Sequence, residues 1–194
     1  IYKAYENRCF RAQAMDFDDL LFKMNVLLRD FPDLLLKYQH TFQFILVDEY
    51  QDTNFAQYLI IKQLAAMREN LCVVGDDAQS IYGFRGANIQ NIFNFKKDYP
   101  DFNLFKLEQN YRSTKVIVEA ANSIISKNKD QIKKSVWTAN EDGARIKVHK
   151  ALTDNDEGNF VANQIFATRA ETGAEASSFA ILYRTNAQSR SFEE

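Results

Sequence analysis

LVDEYQDTN, residues 46–54, is the stretch whose reading decides the fold. The run FQFILV, residues 42–47, leads into it and stops abruptly at two adjacent carboxylates, Asp48 and Glu49. A continuous apolar run of this length predicts a strand covered on both faces, as in a parallel sheet. Such sheets bind ligands at the carboxyl ends of their strands, which is where the acidic pair falls. Asp48 is suited to Mg²⁺, a hard cation that keeps several waters and needs only one or two carboxylates. Glu49 is suited to polarise an attacking water as general base. The competing reading is a solvated acidic pair at an ordinary strand end, and the neighbouring segments must decide between the two.

Downstream, residues 55–67 predict a helix with Phe55, Leu59, Ile60 and Leu64 inward, capped by Asn54 or Thr53. A second buried strand, residues 71–74, then ends in Gly75-Asp76-Asp77. Strand, helix and strand with short connections make a parallel crossover unit, so the fold class is α/β. A third strand is predicted at residues 104–110, after a helix over 88–99. It runs into Gln109-Asn110-Tyr111-Arg112, so three strand ends would deliver polar groups to one sheet edge. Upstream, residues 1–41 predict helices. Phe17, Leu20, Leu21, Met24, Leu27 and Leu28 form an apolar face behind a cap at Asp16 or Asp18, and Pro32 opens the next helix. His40 reads as a helix-end residue.

A helix over residues 114–128 and a Lys-rich stretch follow, and the domain boundary is placed at 112/113. Strands are predicted at 144–152 and 179–185 around a helix at 156–170, a second crossover unit. His149 then alternates within a strand. The lysines of residues 127–134 read as a solvated face, with a phosphate-contact role as the alternative.

The bulk numbers narrow the class. Apolar residues at 46% and charged residues at 26% describe an ordinary globular chain rather than a disordered one. A net charge of −2 removes any global basic signature for nucleic acid but leaves room for a locally basic groove. Cys9 and Cys72 form no C-x-x-C pair, so zinc and redox motifs are unsupported, and Cys72 reads as a small buried hydrophobe. No apolar stretch reaches membrane-spanning length and no secretory signal precedes the fold, which makes the cytoplasm the expected location.

Beyond the second strand, Gln79 has the reach to bond a terminal phosphate or the attacking water. Tyr82, Phe84 and Arg85 fall within four residues, and aromatic rings beside Arg offer faces on which bases stack. The alternative is that both rings are core residues. Flanking Gly83 and Gly86 allow close backbone approach. At the third strand end, Arg112 suits a developing negative charge on a transferred phosphoryl group, with a pair to Glu108 as the alternative, and Tyr111 could stack on a nucleobase.

LVDEYQDTN, VVGDDAQSIYGFRGANIQNI, LEQNYRST and LYRTNAQSR occur in that order, with QAMDFDDLL ahead of them and WTANEDG before the last. Together they make the whole chain resemble the superfamily 1 DNA helicases of the UvrD/PcrA/Rep group. The resemblance implies parts of two RecA-like (P-loop NTPase) domains, parallel sheets flanked by helices. Residues 1–112 would carry motifs II, III and IV of the first domain, and residues 113–194 the start of the second. It implies ATP and Mg²⁺ as cofactors, with Asp48 on the metal, Glu49 activating water and Gln79 sensing the γ-phosphate. Tyr111 would pack on the adenine, and Arg112 would act as the arginine finger. Tyr82, Phe84 and Arg85 would contact single-stranded DNA, with Phe84 where many relatives carry Trp. Thr185 and Asn186 would touch the DNA backbone. The implied activity is ATP-driven 3′-to-5′ translocation on single-stranded DNA with duplex unwinding, in repair or replication. Partners would be single-stranded and duplex DNA and repair proteins, with no membrane. Two other readings stay open: the helicase arm of a helicase–nuclease, and a non-catalytic module that binds DNA or a partner.

No G-x-x-x-x-G-K-[ST] phosphate loop occurs in the sequence, and the chain opens on IYKAYENRCF without Met. The chain is therefore expected to be a piece of a longer protein and to hydrolyse ATP negligibly alone. An exposed sheet edge would also favour association.

Overall fold

The computed structural model describes residues 1–128 and 131–193. They form two compact units, residues 1–141 and 142–194.

The first unit is built around one crossover. Strand β1 (Ile45–Val47) pairs in parallel with β2 (Leu71–Val73), in the register Ile45 to Leu71, Leu46 to Cys72 and Val47 to Val73. The ladder continues past both strands: Val74 N–H donates to Val47 O at 2.8 Å, and Tyr50 N–H donates to Val74 O at 2.9 Å.

Helices α1 (Tyr2–Arg11), α2 (Phe17–Asp30) and α3 (Pro32–Thr41) precede the sheet. Asp16 caps α2 by accepting from Asp19 N–H at 2.8 Å, and Pro32 stands in the first turn of α3, where its missing N–H costs nothing. Between the strands runs α4 (Phe55–Ala65), started by a capping box in which Asn54 and Gln57 satisfy each other's backbone N–H groups. Helix α2 packs on α4, held by Asn25 Nδ2 donating to Ala56 O at 3.1 Å. Helix α5 (Gln90–Asp98) is tied to α4 where Asp98 accepts from Tyr58 Oη at 2.6 Å and pairs with Lys62. Among the described residues Leu28, Tyr50, Ala65 and Val118 are the buried apolar ones, and the Tyr50 ring meets Phe95 edge-on at 6.0 Å.

Several expectations are corrected here. The sheet is not covered on both faces: Leu46 and Phe44 stand out to solvent, and Cys72, opposite Leu46, is exposed rather than buried. Period-two geometry explains this, because Ile45, Val47, Leu71 and Val73 share the partly buried face while the alternate residues share the exposed one. Phe55 points outward, since the cap places it at the exposed start of α4. Residues 104–110 form no strand. Among the described residues their ladder-type link is an isolated bridge from Gln109 to Trp137, with Trp137 N–H donating to Glu108 O at 2.9 Å and Asn110 N–H to Trp137 O at 2.7 Å. Extended apolar sequence becomes a strand only when a neighbour takes up its N–H and C=O groups, and here the segment 131–137 does so at a single point.

Helix α6 (Lys115–Ile125) belongs to the first unit. Asn122 Nδ2 donates to Val136 O at 2.6 Å, and Lys115 N–H to Glu141 O at 3.1 Å, which fastens residues 131–141 back onto it. The first compact unit therefore runs on through Glu141.

The second unit consists of α7 (Asp154–Thr172) and α8 (Arg190–Glu193) with irregular segments. Thr153 caps α7 through Asp156 N–H at 3.2 Å, and Gly173 ends it in the left-handed conformation, φ 71°. Gly158 lets α8 approach, since a Cβ there would lie 1.9 Å from Ser191 O. The strands expected at 144–152 and 179–185 are not formed among the described residues, and His149 stacks on Phe160 at 3.7 Å instead of alternating in a sheet. Among the described residues, no helix is long and apolar enough to cross a membrane.

Candidate functional site

The site begins where β1 ends. Glu49 has φ 49° and ψ 42°, the left-handed region that L-residues enter at a cost of about 1–2 kcal/mol. Strain of this kind persists where surrounding bonds over-determine it. Here Asp48 Oδ1 accepts from Glu49 N–H at 2.9 Å, and Gln51 Nε2 donates to Glu49 Oε2 at 2.8 Å. The kink turns the chain into the short helical turn Tyr50–Asp52 and leaves both carboxylates exposed at the strand tip.

Gln51 does not figure among the residues singled out by the sequence. It is 1% exposed, and its other amide atom, Oε1, accepts from Asp76 N–H at 3.0 Å. One buried side chain thus joins the tip of β1 to the tip of β2. Gly75 makes room for it, because a Cβ there would lie 2.7 Å from Gln51 Oε1. A glutamine two residues past the acidic pair has the reach to fold back on it, and that spacing was the available signal.

Asp76 collects the next bonds. Its carboxylate accepts from Ala78 N–H at 3.0 Å and from Gln79 Nε2 at 2.8 Å, and it pairs with the Lys134 ammonium. Partial burial pushes this carboxyl up. The hydrogen bonds from Lys134 and Gln79 and the Lys134 charge outweigh that push, so its pKa lies below the ordinary carboxylate value. Lys134 also lies 3.6 Å from Asp77 Oδ1, and Asp77 Oδ2 accepts from Ile132 N–H at 2.7 Å. Lys134 is therefore an ion-paired residue, not part of a solvated face; Lys129, from the same run, lies outside the described residues. Glu49 and Gln79 are joined through Gln51 and Asp76 by three consecutive hydrogen bonds.

A second path leaves the same turn. Thr53 O accepts from Asn88 N–H at 3.0 Å and from Asn91 Nδ2 at 2.9 Å, and Asn91 is 2% exposed. An isolated bridge pairs Asn54 with Ala87. The loop holding Tyr82, Phe84 and Arg85 is thereby fastened to the turn that follows Glu49. Its rings are exposed, which overturns the core alternative. The Arg85 guanidinium carbon lies 5.7 Å from the Tyr82 ring centre and 5.4 Å from that of Phe84. Gly86, at φ 83°, closes the loop in a conformation suited to glycine.

Arg112 and Tyr111 sit on the exposed corner after the Gln109–Trp137 bridge. Asn110 Oδ1 accepts from the N–H groups of Arg112 at 2.9 Å and Ser113 at 2.7 Å, which shapes the corner. The pair with Glu108 is not formed: Glu108 Oε1 accepts from Ser135 N–H at 3.1 Å. Tyr111 Oη donates to Gln109 at 2.9 Å and leaves its ring open. Residues 132–137 touch both this corner and Asp76–Asp77, and so connect the Arg112 segment to the rest of the site.

In the second unit, Thr185 and Asn186 are exposed at a helical turn whose capping box uses the Gln188 side chain, 3.0 Å from Thr185 N–H.

Among the described residues no group of three or more metal-type side chains occurs. Asp48 nonetheless fits a water-rich Mg²⁺, since only its Oδ1 is engaged internally.

Comparison with known proteins gives two family matches. Residues 1–100 match the UvrD/REP helicase N-terminal domain, and residues 105–194 match the UvrD-like helicase C-terminal domain. The chain is 51% identical over all its residues to the ATP-dependent DNA helicase PcrA of Staphylococcus aureus strain Mu50. It is 50% identical to proteins of that name from Leuconostoc citreum and Staphylococcus epidermidis. It spans 26% of the length of each of these relatives.

Proposed function

This chain belongs to the UvrD/REP helicase family, and from that premise we propose that it forms part of an ATP-driven DNA translocase. The full-length protein moves 3′-to-5′ along single-stranded DNA and unwinds duplexes in repair or replication, working in the cytoplasm with repair-protein partners. Residues 1–112 contribute the end of one RecA-like domain and residues 113–194 the beginning of another.

Glu49 takes a proton from the attacking water, and its bond to Gln51 fixes the direction in which it accepts that proton. Asp48 holds Mg²⁺, which when bound neutralises charge on the terminal phosphates. Gln79 reads the terminal phosphate, Tyr111 packs on the adenine, and Arg112 stabilises the charge of phosphoryl transfer. Tyr82 and Phe84 stack bases with Arg85 over their rings, while Thr185 and Asn186 touch the DNA backbone.

The observation that carries this reading is the branched hydrogen-bond path from the turn after Glu49. One arm reaches Gln79 through Gln51 and Asp76; the other reaches the aromatic loop through Thr53, Asn88 and Asn91. It is a physical route by which phosphate state and base stacking influence each other. The test is strand displacement by the full-length protein on duplexes with a 3′ or a 5′ single-stranded tail. ATP-dependent unwinding of the 3′-tailed substrate alone is the expected result. Unwinding from the 5′ tail, or none from either, contradicts it.

A further inference from the structure

We infer that Lys134 is a positioning residue for ATP hydrolysis, acting on Gln79 through Asp76. The inference rests on the reading of Gln79 as the phosphate sensor and adds to it a residue from a distant segment, one that follows α6.

Asp76 is shared between two tasks. Its Oδ2 holds the Gln79 amide at 2.8 Å, and its Oδ1 takes both Ala78 N–H and the Lys134 ammonium. Its backbone N–H is fixed by Gln51 at 3.0 Å. The carboxylate is half-buried, so its charge needs a partner, and Lys134 is the one cation paired with it among the described residues. Lys134 is itself well placed. Ile132 N–H bonds Asp77, Ser135 N–H bonds Glu108, and Lys133 O accepts from Lys106 Nζ at 2.7 Å, so the backbone on both sides is anchored. Without the ammonium, Asp76 keeps a charge with no counter-ion, and its Oδ1 is left with the Ala78 N–H to orient the carboxylate that presents Gln79. The segment also runs beside the Arg112 corner, so one strand of chain holds the sensor and flanks the proposed finger.

The experiment compares Lys134→Met, Lys134→Arg, Gln79→Ala and the Lys134→Met/Gln79→Ala double variant in the full-length protein, by steady-state ATP hydrolysis with saturating single-stranded DNA. Lys134→Met is expected to lower kcat about tenfold while KM for ATP changes less than about twofold. Lys134→Arg restores most of kcat, because it keeps the charge. The double variant is no slower than Gln79→Ala, since both act through one group. Unchanged kcat in Lys134→Met, or a loss that multiplies with that of Gln79→Ala, overturns the inference. If Lys134→Met does not fold by circular dichroism, Lys134→Gln, which keeps a donor and lacks the charge, takes its place with the same expected loss and the same overturning result. Absence of hydrolysis in the unsubstituted protein instead overturns the translocase reading, and the inference with it.

Discussion

Gln51 Nε2 lies 2.8 Å from Glu49 Oε2, so the exposed carboxylate at the tip of β1 is anchored from beneath by a buried amide. The same amide accepts from Asp76 N–H. Replacing Gln51 with Leu, of similar volume, removes these bonds and leaves the part-buried Asp76 N–H unpaired. The expected cost is about 1–3 kcal/mol of stability. Urea unfolding measures it, and kcat for ATP should fall with it while DNA binding is retained. A stability change near zero would show that Gln51 fills space and does not organise the turn.

Asn91 is the corresponding fastener on the other arm. Its amide donates to Thr53 O at 2.9 Å and Thr53 Oγ1 at 3.1 Å inside the core. Asn91→Ala should cost about 1–3 kcal/mol by removing two buried hydrogen bonds to Thr53, whose carbonyl keeps the Asn88 N–H. It should also weaken the stimulation of ATP hydrolysis by DNA more than it weakens basal hydrolysis. Equal loss of both rates argues against a coupling role.

Phe84 presents an exposed ring beside Arg85. Base stacking on such a ring is worth about 1–3 kcal/mol per base. Phe84→Ala should weaken single-stranded DNA binding accordingly, and Phe84→Trp, with its larger face, should tighten it. The slope of affinity against salt should not change, because no phosphate contact is removed. Fluorescence anisotropy at several salt concentrations reads both quantities, and an altered slope would assign Phe84 a different contact.

Acid should dissolve the Asp76–Lys134 link. The Asp76 pKa is lowered in the fold, so the unfolded chain binds its proton first as pH falls. The stabilisation is complete above the ordinary carboxylate range and is lost as pH drops through the lowered folded value. Lys134→Met should therefore destabilise the protein at neutral pH and approach the unsubstituted protein in acid. Urea midpoints measured from pH 7 downward check this, and a constant gap at every pH contradicts it.

The sequence was most legible where local chemistry acts alone. Asp16, Asn54 and Pro32 start their helices as their residue types dictate, and the β1–α4–β2 crossover follows from apolar runs separated by a capped helix. Residues 104–110, 144–152 and 179–185 were not legible, because an extended apolar segment carries no record of whether a partner strand accepts its backbone bonds. The acidic pair, the aromatic loop and the Arg112 corner were visible as exposed motifs. Asn91 and Lys134 were not, since their significance lies in which distant carbonyl or carboxylate they meet, while Gln51 was marked only by its two-residue spacing from Glu49.

Glu49 is the proposed base that activates water within this bonded site. The most direct measurement is ATP binding and DNA-stimulated ATP hydrolysis by the full-length protein with Glu49→Gln. The amide keeps the shape and can still meet Gln51, but it cannot accept a proton. ATP affinity is expected to stay within about threefold while turnover falls by about 10²–10⁴-fold. Near-normal turnover in a folded, ATP-binding variant would contradict the account.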